Sequence, residues 1–178
     1  PTCALASAES LLRIGNGPEP ESLDPQRMSS VSALNIARDL YEGLTRIAAD
    51  GRTVPAAARG WEIADHGLRY TFELRAGLRW SNGEPLTASD FVDSLRRAVD
   101  PATGSPFAQL LSPIANAAAI TRGDAPVSML AVWALSPTRL QILLKQPTPY
   151  FLSLLAHPVS FPVYGPALTQ YGRGFARP

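Results

Sequence analysis

The chain has 178 residues, 46% of them apolar and 17% charged, and a formal net charge of +1. Its length and apolar share allow a packed core in one ordinary domain, or in a larger piece with part of another. The near-neutral charge, with no basic run, excludes the usual footprint of a nucleic-acid binder. A single cysteine, Cys3, rules out an internal disulfide and a cysteine-cluster zinc site, and no apolar run reaches membrane-spanning length.

In chain order, residues 11–15 (LLRIG) read as a short strand, and residues 16–25 (NGPEPESLDP) as loop from their Gly, Pro, Asn and Asp content. Residues 32–44 (SALNIARDLYEGL) carry helical spacing, with Ala33, Ile36, Ala37, Leu40 and Leu44 at steps of three and four. Ser32 is the expected N-cap and Gly43 the expected stop. Residues 50–55 (DGRTVP) are a turn leading into an extended pre-proline stretch. Residues 67–75 (GLRYTFELR) alternate as a half-buried strand does, Tyr70, Phe72 and Leu74 on one side and Thr71, Glu73 and Arg75 on the other.

After the extended LRW, SNGEP turns the chain and TASDF fits a capping box, Thr87 with Asp90. The following helix buries Phe91, Leu95 and Ala98 and ends at Asp100-Pro101. A short helix is expected over 105–111, with Ser105 as cap and Pro106 in its first turn, and another over 114–123 with a Gly exit. MLAVWAL and RLQILLK flank Ser136-Pro137-Thr138 as a hairpin, with Leu140, Ile142 and Leu144 on one face. Residues 148–158 (TPYFLSLLAHP) read as a helix with Thr148 capping and Pro158 beyond its end, and the tail carries a short helical stretch. Short strands, hairpins and short capped helices make the class α+β, with no strict βαβ alternation.

No catalytic constellation emerges. G-x-S-x-G, H-E-x-x-H and the P-loop are all missing, and the acidic residues do not group into a metal-ligand pattern, so neither enzyme activity nor a cofactor is expected. His66 lies in a polar turn and should face solvent. His157 follows FLSLLA at a helix end, where it reads as a C-terminal cap favoured by the helix dipole or, more sharply, as a cleft-lining group. Trp61, Trp80 and Trp133 read first as core or core-edge residues and second as stacking surfaces. Cys3, with polar ASAES behind it like a tether, has two readings: a lipid-anchor cysteine near a processed N-terminus, or an inert terminal thiol. The Thr just before it is a poor fit to the first. A leader can be removed by processing, so the lack of a leader pattern does not place the chain in the cytoplasm.

Taken together, ESLDP, NIARDLYEGL, DGRTVPAAARGWE, YTFELRAGLRWSNGEPLTASDFVDSLRRAVDP, SPFAQLL and TPYFLSLLAHP form a recognisable series. The series resembles the extracytoplasmic solute-binding proteins of peptide ABC transporters (family 5), most closely the oligopeptide-binding members, from about Leu11 onward. The LR-x-G-x-x-W-S-x-G-x-P-x-T-A-x-D-F run is the most specific part. The resemblance implies a periplasmic-binding-protein-like fold of the type II, two-lobed kind. This chain would be its N-terminal portion, with a mixed or antiparallel sheet. The implied division is a tether over 1–12, the start of lobe I over 13–41, a supporting subdomain over 42–164 and the start of the return to lobe I over 165–178. The second lobe would be absent, the chain being a fragment or a truncated product.

The resemblance also implies ligand contacts. An extended segment after LDP, here RMSSVSA with Ser29, Ser30 and Val31, would pair its main chain with the peptide as an added strand. Where Ser29 stands the family has an acidic residue. Phe107 matches a cleft aromatic and keeps the stacking surface without a phenolic hydroxyl, and His157 matches a histidine of the family's HP element. The implied partners are an oligopeptide ligand and the permease subunits of an ABC importer, at a periplasmic or extracytoplasmic location. Peripheral membrane attachment would come through Cys3, and self-association through the exposed lobe surface. The alternative is a truncated scaffold serving as a sensory or protein-interaction module.

Overall fold

The computed structural model describes residues 15–176. The expected strand over 11–15 therefore lies, but for Gly15, outside the described residues, as does Cys3. Helix α1 runs Val31–Leu40, followed by a two-stranded antiparallel ribbon of β1 (Thr45–Ile47) and β2 (Thr53–Pro55). A four-stranded sheet in the order β3-β4-β6-β5 is built from β3 (Ala58–Ala64), β4 (Arg69–Leu74), β5 (Val132–Ser136) and β6 (Arg139–Leu143), each pair antiparallel. Helices α2 (Ala88–Val99), α3 (Ala117–Thr121), α4 (Phe151–Leu154) and α5 (Gly165–Tyr171) complete the set.

The core lies between this sheet and α2. Strand register sets Tyr70 opposite Ile142 and Phe72 opposite Leu140, so the period-two apolar sets of β4 and β6 share one face. Phe91, Leu95 and Ala98 of α2 are fully buried in the same cluster. Burying the Phe91 and Leu95 side chains contributes about 1.5–3 kcal/mol each. The hairpin at Ser136-Pro137-Thr138 also ties elements together. The Pro137 carbonyl accepts from Ala88 N–H at 2.8 Å and the Thr138 carbonyl from Leu74 N–H at 2.8 Å, joining the first turn of α2 to the end of β4. The expected capping box is present: the Asp90 carboxylate accepts from the Thr87 N–H at 2.7 Å and from its hydroxyl at 2.8 Å.

Several helices differ from expectation. The cap of α1 is Ser30, whose hydroxyl accepts from Ala33 N–H at 3.3 Å, whereas Ser32 is buried and its carbonyl accepts from Asn16. The helix stops at Leu40, which is exposed, and Leu44 joins the main core from beyond it. Tyr41 turns extended, and its hydroxyl donates to the Leu23 carbonyl at 3.0 Å. Gly43 is not the stop; packing requires it. A Cβ there would meet the Phe161 ring at 2.5 Å and the Leu155 carbonyl oxygen at 2.9 Å.

The expected helix over 105–111 is a 3-10 turn over Ala108–Leu111, and Ser105 does not cap it. The helix over 114–123 shortens to α3 because Asn116 takes a left-handed conformation, φ 71°. The helix over 148–158 shortens to α4, with Thr148 bonded to the Gln146 carbonyl instead of capping.

Gly43→Ala should lower stability by about 1–3 kcal/mol, the cost of overpacking a filled site, read as a reduced urea midpoint at unchanged slope.

Candidate ligand-binding site

The stretch Leu23 to Ser30 is held from below by a buried polar network. Asp24, 1% exposed, accepts both Arg97 nitrogens, at 3.1 and 2.6 Å, and the Gln26 N–H at 3.0 Å. Gln26, also 1% exposed, accepts from Arg97 at 2.7 Å and donates to the Ser94 carbonyl at 2.8 Å. The Asp24 carbonyl closes the turn by accepting from Arg27 and Met28 N–H. Met28 is then buried with Ala33 and Ala37 under α1. Burial and Asp24 together push the Tyr41 phenol up to about 12, so it stays a neutral donor to Leu23.

On this base Ser29 is exposed and Ser30 half-buried with extended backbone. Val31 is also exposed but is the first residue of α1, so the extended segment ends at Ser30. Sequence reasoning missed Glu21. Its carboxylate folds back to accept the N–H groups of Ser29 and Ser30 and both their hydroxyls. These bonds hold it well below the usual carboxylate range, at about 2, the Ser30 hydroxyl contributing most. The available signal was an acid eight and nine residues ahead of a Ser-Ser pair at a helix start. Among the described residues, the Ser29 carbonyl and the Val31 N–H are left without a partner. Such a carbonyl and an N–H two residues on are the groups that both bond to one residue of a parallel strand.

Phe107 and His157 come together, their rings 4.7 Å apart and edge to face. Phe107 precedes the Ala108–Leu111 turn and packs partly on the core. His157 is not the C-terminal cap of a helix. Pro158 pushes it into extended backbone, at φ −83° and ψ 139°, and its Nδ1 accepts from Val159 N–H at 3.2 Å. Burial first, and Arg38 second, depress its pKa from 6.5 to about 4. The ring is therefore neutral at neutral pH, with its proton on Nε2, free to donate. Helix α1 lies against the Pro158–Ser160 turn, so the Ser30 helix and the His157 pair belong to one region. His66 is exposed as expected, with positive φ.

A well-formed concavity of about 780 Å³ lies elsewhere. It runs between the end of α1, the Trp80 turn and α5, and is lined by Arg38, Tyr41, Arg79, Trp80 and Tyr164. None of the expected site residues lines it. Trp61 packs on Phe72 and Trp80 on Tyr164, while Trp133 is partly exposed. Among the described residues no cluster of His, Cys, Asp and Glu is built to hold a metal, and no helix is long and apolar enough to cross a membrane.

Residues 52–175 match the family model described as bacterial extracellular solute-binding proteins, family 5 middle. The chain belongs to this family. It is 45% identical over 172 residues to the probable deoxycholate-binding periplasmic protein YgiS of Escherichia coli K12, covering 96% of this chain and 32% of that protein. It is 41% identical over 176 residues to the periplasmic oligopeptide-binding protein OppA of the same organism, covering 98% and 32%. Among solved structures, Haemophilus influenzae OppA in complex with RPPGFSPFR superposes with a TM-score of 0.87 at 36% identity, covering 91% of this chain and 32% of that one. The family's fold is the type II periplasmic-binding-protein fold, and the antiparallel sheets with short helices are an α+β portion of it. The chain spans about a third of the length of these relatives.

Because His157 has a depressed folded-state pKa, the stability it contributes is present above pH 6.5 and lost as pH falls through about 4. His157→Asn, which keeps an acceptor for Val159 N–H, should flatten that acid limb in urea titrations across the window. An imidazole midpoint near 6.5 by NMR would contradict the burial argument.

Proposed function

We propose that this chain is part of the substrate-binding component of an ABC peptide importer, capturing oligopeptides outside the cytoplasmic membrane and passing them to the permease. The observation that carries the reading is the exposed edge at Ser29 and Val31, whose open carbonyl and N–H suit one residue of an added parallel strand. Recognition through main-chain groups ignores side-chain identity, as a binder of many peptides requires. Phe107 and His157 supply an apolar wall and a neutral donor beside it. The relatives' names span oligopeptides, dipeptides, a murein peptide and deoxycholate. The main-chain edge favours peptides, since a steroid has no carbonyl and N–H pair to match it.

The region 42–164 serves in this reading as a supporting subdomain, and the edge as one wall of a cleft whose other wall is a second lobe. A single wall need not form a concavity of its own, so in this reading the hollow beside Trp80 is separate from the peptide edge. Trapping needs closure of two lobes, so one wall alone holds peptide weakly.

Titrating blocked trialanine into the isotope-labelled chain should move the amide signals of Ser29, Ser30 and Val31 and the ring signals of Phe107 and His157, saturating only at millimolar peptide. Movement confined to other residues would refute the site. A submicromolar dissociation constant by calorimetry would refute the one-wall reading.

A further inference from the structure

We propose that Glu21 sets the charge preference of the ligand edge, by holding an uncompensated carboxylate there that favours a cationic group on the peptide. The inference rests on the peptide-binding reading above. Three neutral donors converge on Oε1, the N–H and hydroxyl of Ser29 and the N–H of Ser30, while Oε2 accepts only the Ser30 hydroxyl. A carboxylate has about four lone-pair positions, so Oε1 is saturated and Oε2 keeps an open one.

No Arg, Lys or His pairs with Glu21 among the described residues. Several other carboxylates are matched, Asp24 by Arg97, Glu42 by Arg75, Glu73 by Arg59 and Arg139, Asp65 by Arg69 and Asp124 by Arg122. Glu19, Asp39, Glu62 and Glu84 share the lack of an ion pair among the described residues, but Glu21 is the one folded onto Ser29 and Ser30. Glu21 is thus a fixed anion, exposed to solvent, whose charge no cation among the described residues neutralises. It sits on the two residues next to the open Ser29 carbonyl and Val31 N–H. Its own four hydrogen bonds have already ordered it, so a ligand cation meets a charge that need not be immobilised on binding.

The cation has one chemistry, an ammonium or guanidinium, and two sources: the peptide's amino terminus or a basic side chain. An anionic ligand at this edge meets repulsion instead.

The test compares four blocked or part-blocked tripeptides on the full chain by amide shift titration, following Ser29, Ser30 and Val31. They are Ala-Ala-Ala-amide with a free amino terminus, and the acetylated amides Ala-Lys-Ala, Ala-Ala-Ala and Ala-Glu-Ala. At low salt the cationic peptides should bind about two- to fivefold tighter than the neutral one, the range measured for exposed ion pairs, and the acidic one weaker. Preference for the free-amino peptide alone assigns the cation to the terminus, and preference for the Lys peptide alone assigns it to a side chain. High salt should erase the preference, which a purely structural role of Glu21 would not predict. Glu21→Gln should erase it at low salt, read as the ratio of cationic to neutral peptide affinity on that same variant, whatever the change in absolute affinity.

Equal binding of all four peptides to the native chain, or an unchanged preference in Glu21→Gln, overturns the role of Glu21 and leaves the peptide reading standing. Failure of every peptide to move these signals overturns the peptide reading and the inference with it.

Discussion

The buried pair of Asp24 and Arg97 is the interaction on which the candidate site depends. Removing two charges from water is costly, and mutual attraction offsets the cost only when the remaining polar groups are satisfied. Here they are: both Arg97 nitrogens reach Asp24, and Gln26 fills the space beside them while bonding the backbone of α2. Such a cluster is weak evidence of net stability, but the LDP turn as placed here completes it. That placement buries Met28, starts α1 at Ser30 and turns Ser29 outward. The Arg97 guanidinium also lies over the Phe175 ring, at 5.6 Å, so the same residue gathers the beginning and the end of the described chain.

The charge states around the site are set by two opposite environments. Glu21 is exposed and surrounded by donors, which stabilise its ionised form; His157 is largely buried beside a cation, which stabilises its neutral form. Each keeps one charge state well above pH 4, Glu21 ionised and His157 neutral. A binding edge with this arrangement presents the same electrostatic face over the whole neutral and mildly acid range.

The segment from Tyr70 to Phe91, the best marked in the sequence, holds none of the expected site residues. Its strand, turn and capped helix build the face against which the sheet and α2 close. Arg97 and Ser94 then project from α2 toward the LDP turn and residues 161–163. The scaffold acts on the site through these two side chains.

Much of this scaffold was legible beforehand because its signals are local. The alternation at Tyr70, Phe72 and Leu74, the Thr87–Asp90 box and the Ser136-Pro137-Thr138 hairpin each depend on residues within a few positions of one another. The lengths of the short helices were not legible. Left-handed Asn116, extended His157 before Pro158 and the departure of Tyr41 toward Leu23 end elements that periodicity alone would continue. The sequence by itself determined the α+β class, the buried faces of β4, β6 and α2, and the series of motifs that marks the family. Only the tertiary structure decided that Glu21 lies on Ser29 and Ser30, that Phe107 meets His157, and that Gly43 must yield to Phe161. The reason is physical: these contacts join residues separated along the chain and brought together by packing, which no pattern within a few positions encodes.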